Sequence, residues 1–156
     1  LGGSIANNDP ASDYPGAVLG LAAEVATDRR KIAADDFFTG MFETALAEDE
    51  VVTHVSFPVP AKAKYMKFPN PASRYAMAGA FVARTAAGVR VAITGAGPCV
   101  FRWSEAEEAL AAEFAPATIE PLTMPPDDLN GDIHGSPAYR ANLVKVMTKR
   151  AVAALV

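Results

Sequence analysis

The sequence predicts an α+β fold in which an antiparallel sheet packs on C-terminal helices. Three observations lead there. In EVVTHVSFP (50–58), Val51, Thr53, Val55 and Phe57 alternate with Val52, His54 and Ser56, the period of a strand with one face on a core. AMAGAFVAR and GVRVAITGAG are joined through Thr85-Ala86-Ala87-Gly88, a hairpin-length connection. Beyond residue 103 the period changes to that of helices. Strands followed by helices point to a layered α+β sandwich and away from a wound parallel sheet.

Taken in order, the first sixteen residues, LGGSIANNDPASDYPG, read as a glycine-rich loop, after which Asp13 or Tyr14 caps a short helix with Pro15 in its first turn. Residues 24–33 read as a small hairpin turning near Asp28 and Arg29, and Asp35 to Phe38 as a helical turn ending around Gly40. The strand at 51–57 is expected to share one antiparallel sheet with KYMKF and the two strands of the hairpin. Ser104 and Glu107 form a capping-box pattern opening SEAEEALAAEF. A proline-rich loop through Pro116, Pro121, Pro125 and Pro126 leads to Ser136-Pro137, the start of a final helix carrying a Tyr139, Leu143, Val146, Met147 stripe. The change of character at residue 50 suggests two units, 1–49 and 50–156.

Composition narrows the function. A chain of 156 residues, 51% of them hydrophobic, can bury a real core, roughly 70% of its unfolded surface. A net charge of −4 gives no electrostatic reason to expect nucleic acid or an anionic membrane as partner. The single cysteine, Cys99, excludes an intrachain disulfide and suits a reducing compartment. No apolar run approaches the ~20 residues of a membrane span. The expectation is a soluble cytoplasmic protein. Its start on Leu1 suggests residues lost upstream.

Conventional catalytic sets are missing from the sequence. His54 and His134 stand far apart without clustered ligands, so no metal site is expected. There is no G-x-S-x-G elbow, and Cys99 reads as a small packed residue. Gly95-Ala96-Gly97-Pro98 lacks the third glycine of a dinucleotide fingerprint and reads as a strand-end turn. The opening segment says more. Gly2 and Gly3 lack Cβ atoms, so their N–H groups can approach an anion, and Ser4 adds a hydroxyl. Asn7 and Asp13 can bond to hydroxyl groups of a sugar or ribityl chain. A phosphate-bearing ligand and a plain surface loop both satisfy these residues.

LGGSIANNDPASDYP resembles the second FAD-binding motif in the medium subunits of molybdenum hydroxylases, the xanthine dehydrogenase family. The resemblance runs in register through RRKIAADDFFTGMFETAL, EVVTHVSFPVP, KFPNPASRYAMAGAFVA, GVRVAITGAG and YRANLVKVMTKRA. Within the family, the wording is most similar to the aerobic carbon monoxide dehydrogenase medium subunit. It implies the tail of a PCMH-type FAD-binding domain over 1–49, then the C-terminal domain of such flavoproteins. It also implies FAD as cofactor, with Gly2, Gly3 and Ser4 at the pyrophosphate, Asn7 and Asp13 at the ribityl–phosphate portion, and Val51 and Val52 lining the flavin pocket. Lys67 would lie near the flavin ring and Tyr75 against its face.

The implied parent is an oxidoreductase in which electrons pass from a molybdenum-cofactor large subunit, through an iron–sulfur small subunit and FAD, to an external acceptor. It would lie in the cytoplasm or peripherally at the inner face of the membrane. The family's first glycine-rich loop is missing from this sequence. The expectation is therefore a C-terminal fragment that is inactive alone and binds FAD poorly. Two alternatives stand beside this: a cofactor-free domain docking the partner subunits through Arg74, Arg102 and Arg140, and a flavin oxidase of the vanillyl-alcohol type.

Overall fold

The computed structural model describes all 156 residues. The chain opens with a short helix, α1 (Gly2–Asn7), where a loop is expected, and then α2 (Tyr14–Gly20). The hairpin β1 (Glu24–Thr27) and β2 (Lys31–Ala33) turns where its sequence indicates. A single turn α3 (Ala34–Phe37) leads into a small ribbon of β3 (Phe38–Gly40) and β4 (Glu43–Thr44). Next come β5 (Val52–Ser56), β6 (Lys62–Pro69), β7 (Ala76–Thr85), β8 (Gly88–Thr94) and β9 (Phe101–Arg102). Helix α4 (Ser104–Ala112), a 3-10 turn at Pro116–Ile119 and helix α5 (Pro137–Ala153) complete the chain. No helix is long and apolar enough to cross a membrane.

The α+β expectation holds, with one change of strand pairing. β6-β7-β8-β9 form an antiparallel meander, whereas β5 pairs with β1 in a separate sheet of order β2-β1-β5. The alternating Val51, Thr53, Val55, Phe57 face is not the core face either: Val52 and Val55 pack on the second core while Val51, Thr53 and Phe57 are exposed, the register against β1 slipping between Ala26 and Thr27. The partner here offers Val25 opposite Val55, and Val25 is fully buried.

The meander is covered on both faces. Ala78, Ala80, Val82, Val91 and Ile93 face one core together with Trp103, Leu110, Leu143, Val144 and Met147. On the other face, Phe81 and Ala92 join a second core with Ile5, Val18, Leu19, Val25 and Phe37. Helix α2 approaches this face closely: a Cβ at Gly20 would stand 2.5 Å from the Phe81 ring, and one at Gly16 would stand 3.0 Å from Thr94 Cγ2. Each large side chain buried this way contributes about 1.5–3 kcal/mol. The opening segment is thereby fixed to the sheet.

Two helix details differ from the sequence pattern. The Ser104 side chain makes no capping bond. Glu107 instead accepts from the Val91 amide (2.9 Å) and from Arg102 Nε and Nη2 (2.9 and 2.5 Å). A nearly buried carboxylate gains more from a guanidinium and an otherwise unmet strand amide than from its own helix end. On α5, Ser136 caps as expected, accepting from the Tyr139 amide at 3.2 Å. The core stripe is offset from the expected one: Leu143 and Met147 are buried with Arg140, Val144, Ala151 and Val152, while Tyr139 stays 41% exposed at the rim.

Candidate functional site

The glycine-rich opening is a helical turn. Its first paired amide is that of Ile5, bonded to the Leu1 carbonyl at 3.1 Å. The N–H groups of Gly2, Gly3 and Ser4 precede it and have no intrahelical acceptor, as at any helix start. A Cβ at Gly3 would meet nothing, and one at Gly2 would only touch the Val52 carbonyl at 4.0 Å, so internal packing does not require either glycine. Asn7 is exposed. Its neighbour Asn8 has the structural role. Left-handed at φ 46°, it donates to the Gly40 and Glu43 carbonyls at 2.8 and 2.7 Å and pins the β3–β4 ribbon to α1.

Where α1 and α2 meet the edge strand β6, a cleft of about 550 Å³ opens, lined by Ser4, Ala11 to Tyr14, Lys67 and Ser73 to Tyr75. Four of the expected site residues, Ser4, Asp13, Lys67 and Tyr75, line it together. Asp13 stands at the N-cap position of α2 but makes no capping bond. Its Oδ2 accepts from Lys67 Nζ at 2.7 Å and its Oδ1 from the Tyr65 hydroxyl at 2.7 Å. Tyr65 also lies 2.8 Å from Thr94 Oγ1. Its phenol is pushed well above the usual range, chiefly by burial; the Asp13 carboxylate adds to the rise and the Thr94 hydroxyl opposes it.

The loop carrying Tyr75 is built by Asn70. Its Oδ1 accepts from the Ala72 and Ser73 amides at 2.9 and 3.3 Å, and its backbone N–H donates to the Tyr75 carbonyl at 2.8 Å. Arg74 adopts φ 67°, a left-handed conformation uncommon for a long side chain, and Tyr75 is left 53% exposed. An exposed aromatic ring, a partly buried ammonium and hydroxyl groups thus line the cleft together.

The remaining expected residues lie outside it. Val51 is 62% exposed and tied to the β1–β2 turn through Asp28, and Val52 packs partly on the second core. Neither lines the cleft. Of the three arginines proposed for docking, two are occupied inside the chain. Arg140 is only 5% exposed: Nη1 donates to the Met77 and Gly95 carbonyls (2.6 and 3.0 Å) and Nη2 to Asp132 (2.7 Å). Arg102 binds Glu107 and reaches Asp35 at 3.3 Å. Arg140 and Asp132 line a second cavity of about 480 Å³ that shares Ala11, Ser73 and Tyr75 with the cleft. The Cys99 thiol is half-buried and pushed up by burial, which leaves it a poor nucleophile.

Tyr65, Thr94 and Gly79 are the site residues that reading the sequence misses. Lys67, Gly79 and Thr94 stand in one cross-strand row. A Cβ at Gly79 would lie 2.3 Å from the Tyr65 hydroxyl and 2.6 Å from Thr94 Oγ1. A glycine inside a continuously apolar strand is the available signal, because it marks something lying close against the backbone.

Residues 1–60 match the family described as the FAD binding domain in molybdopterin dehydrogenase. Over 97% of its length the chain is similar to the nicotine 6-hydroxylase medium subunit of Paenarthrobacter nicotinovorans (34% identity) and to the carbon monoxide dehydrogenase medium chain of Hydrogenophaga pseudoflava (29%). It spans 59% and 58% of those relatives. The structure superposes on a chain of the crystallised Hydrogenophaga pseudoflava carbon monoxide dehydrogenase with a TM-score of 0.82 at 29% identity, covering 98% of this chain and 59% of that one. The opening sixty residues therefore match the FAD binding domain in molybdopterin dehydrogenase, and along nearly its whole length the chain is similar to the medium subunits of nicotine 6-hydroxylase and carbon monoxide dehydrogenase.

Proposed function

We propose that the chain forms one wall of the FAD site in the medium subunit of a molybdenum hydroxylase, and that the cleft at α1, α2 and β6 is that wall. The observation that carries this reading is the convergence of Ser4, Asp13, Lys67 and Tyr75 on one cleft from segments far apart in sequence. The residues suit the cofactor. Glycines without a packing role leave the amides at the start of α1 open to a phosphate group. Lys67, 29% exposed, offers an ammonium to an electron-rich ring edge, and Tyr75 offers an aromatic face.

FAD, when bound, supplies the redox chemistry, exchanging electrons between the iron–sulfur clusters of a partner subunit and an external acceptor. This chain's residues bind and orient. Ser4 and the neighbouring amides hold phosphate oxygens, Tyr75 covers the ring, and Lys67 keeps positive charge beside it. The oxidised carbon substrate does not reach these residues; in this reading it is bound on a molybdenum-cofactor subunit. Carbon monoxide is one candidate reductant, from the wording of NNDPASDYP, and nicotine is another, from the greater identity to nicotine 6-hydroxylase. The cofactor-free docking reading loses two of its three arginines to internal bonds.

The test is photoaffinity labelling with an azido-FAD on protein isolated with its natural partners, followed by peptide mapping. Labels at 67–75 and 4–14 are expected. A bound flavin that labels only other segments, or no bound flavin, refutes the assignment. Anaerobic addition of carbon monoxide or nicotine then shows which one bleaches the flavin band.

A further inference from the structure

We infer that Tyr65 is a positioning residue for Lys67, acting through Asp13, and that Gly79 and Thr94 exist in their present form to hold Tyr65 in place. The inference rests on the reading of the cleft as a flavin site and assigns a new role within it. Asp13 becomes the holder of the lysine instead of a direct cofactor ligand.

The geometry runs across three strands. Tyr65 and Lys67 are two residues apart on β6 and so share a face. Opposite Lys67 on β7 is Gly79, and opposite Gly79 on β8 is Thr94. With no side chain at 79, the Tyr65 ring leans over the row until its hydroxyl meets Thr94 Oγ1 at 2.8 Å. The phenol has one proton, and it is donated to Asp13 Oδ1 at 2.7 Å; the Thr94 hydroxyl therefore donates to Tyr65.

That bond fixes one carboxylate oxygen of Asp13, which leaves the other, Oδ2, aimed at Lys67 Nζ. The ammonium has three protons, so after one is given to Asp13 two remain for the cleft. Without the Tyr65 hydroxyl, the Asp13 carboxylate is held by Lys67 alone, and the pair is free to turn together, so the lysine loses its fixed direction. A tyrosine placed only for packing would need neither Thr94 within bonding distance nor a glycine beneath its hydroxyl.

The test measures Lys67 directly. Competitive acetylation of the amine, read by peptide mass spectrometry, gives the reactivity of Lys67 relative to exposed Lys64 on the same strand. Tyr65→Phe is expected to raise that ratio about two- to tenfold, the span of one hydrogen bond. Thr94→Val is expected to raise it less. Local melting of β6 would also raise the ratio, because Lys64 is already exposed, so the ratio is read on variants whose β6 amides exchange with solvent as slowly as in wild type. An unchanged ratio in folded Tyr65→Phe and Thr94→Val protein overturns the inference.

The midpoint potential of the bound flavin is the second readout, expected to fall in Tyr65→Phe as the cation becomes less ordered. A raised ratio with an unmoved potential upholds the positioning of Lys67 and overturns its place at the flavin. If both respond, both readings stand.

Discussion

Replacing Gly79 by alanine puts a methyl carbon 2.3 Å from the Tyr65 hydroxyl, 2.6 Å from Thr94 Oγ1 and 2.8 Å from Tyr65 Cε2. None of these contacts is tolerable, so the tyrosine tip must move by about 1 Å to reach ordinary van der Waals separation. Such a move gives up the bond to Thr94, about 1 kcal/mol net, and weakens the charge-assisted bond to Asp13, about 2 kcal/mol. Alanine recovers about 0.4–1 kcal/mol by narrowing the unfolded ensemble.

The balance is a loss of about 2 kcal/mol, or about 4–8 °C in Tm for a chain of this size. Thermal melts followed by far-UV circular dichroism measure it. The same substitution in a Tyr65→Phe background, where the hydroxyl and its bonds are already gone, should cost measurably less, because neighbours that share an interaction are not additive. An unchanged Tm for Gly79→Ala, or equal losses in the two backgrounds, would refute the claim that the glycine makes room for the hydroxyl.

Glu50 gives a pH-dependent prediction. Its side chain is 1% exposed and accepts from Arg30 Nε and Nη2, Thr27 Oγ1 and the Ala47 amide, and its carboxyl is held down at about 2, first by Arg30 and then by Ala47 and Thr27. A folded-state value below the unfolded one contributes stability that is complete above the ordinary carboxylate range and is lost as pH falls toward 2. Glu50→Gln should therefore melt lower than wild type at pH 7, with the gap closing from pH 5 downward; a gap that is constant with pH would contradict this. Arg74, exposed and left-handed at φ 67°, should gain from glycine: relief of about 1–2 kcal/mol of strain against about 0.4–1 kcal/mol of added unfolded-state freedom raises Tm by about 1–4 °C. A fall in Tm would show that the Arg74 side chain contributes more than its backbone conformation costs.

How much of this is legible in the sequence depends on the range over which each feature is decided. The β7–β8 hairpin is visible because its two apolar runs and its Thr85–Gly88 turn lie within twenty consecutive residues. The existence of β5 is visible for the same reason, but its pairing with β1 is not, since any strand with a matching apolar face satisfies the pattern. Helix α1 is hidden by Gly2 and Gly3, weak helix formers that read as loop; burial of Ile5 in the second core compensates for them. The capping box at Ser104 fails because Glu107 has better partners in Arg102 and the Val91 amide.

The site divides in the same way. The family resemblance points to Asp13, Lys67 and Tyr75 one at a time and not to the residues that orient them, because the Tyr65–Asp13 bond joins positions 52 residues apart. Arg140 reads as a surface charge, though its place on the apolar stripe of α5 requires it to find partners such as the Met77 and Gly95 carbonyls. Yet one local signal for the network is present. A glycine in the middle of a buried central strand weakens that strand and gives no side chain to the core, so something must occupy the space above it. Here the occupant is the Tyr65 hydroxyl, and following the row outward from Gly79 leads to Thr94 on one side and Lys67 on the other. The least functional-looking residue in AMAGAFVAR is therefore the one from which the orientation of the site can be traced.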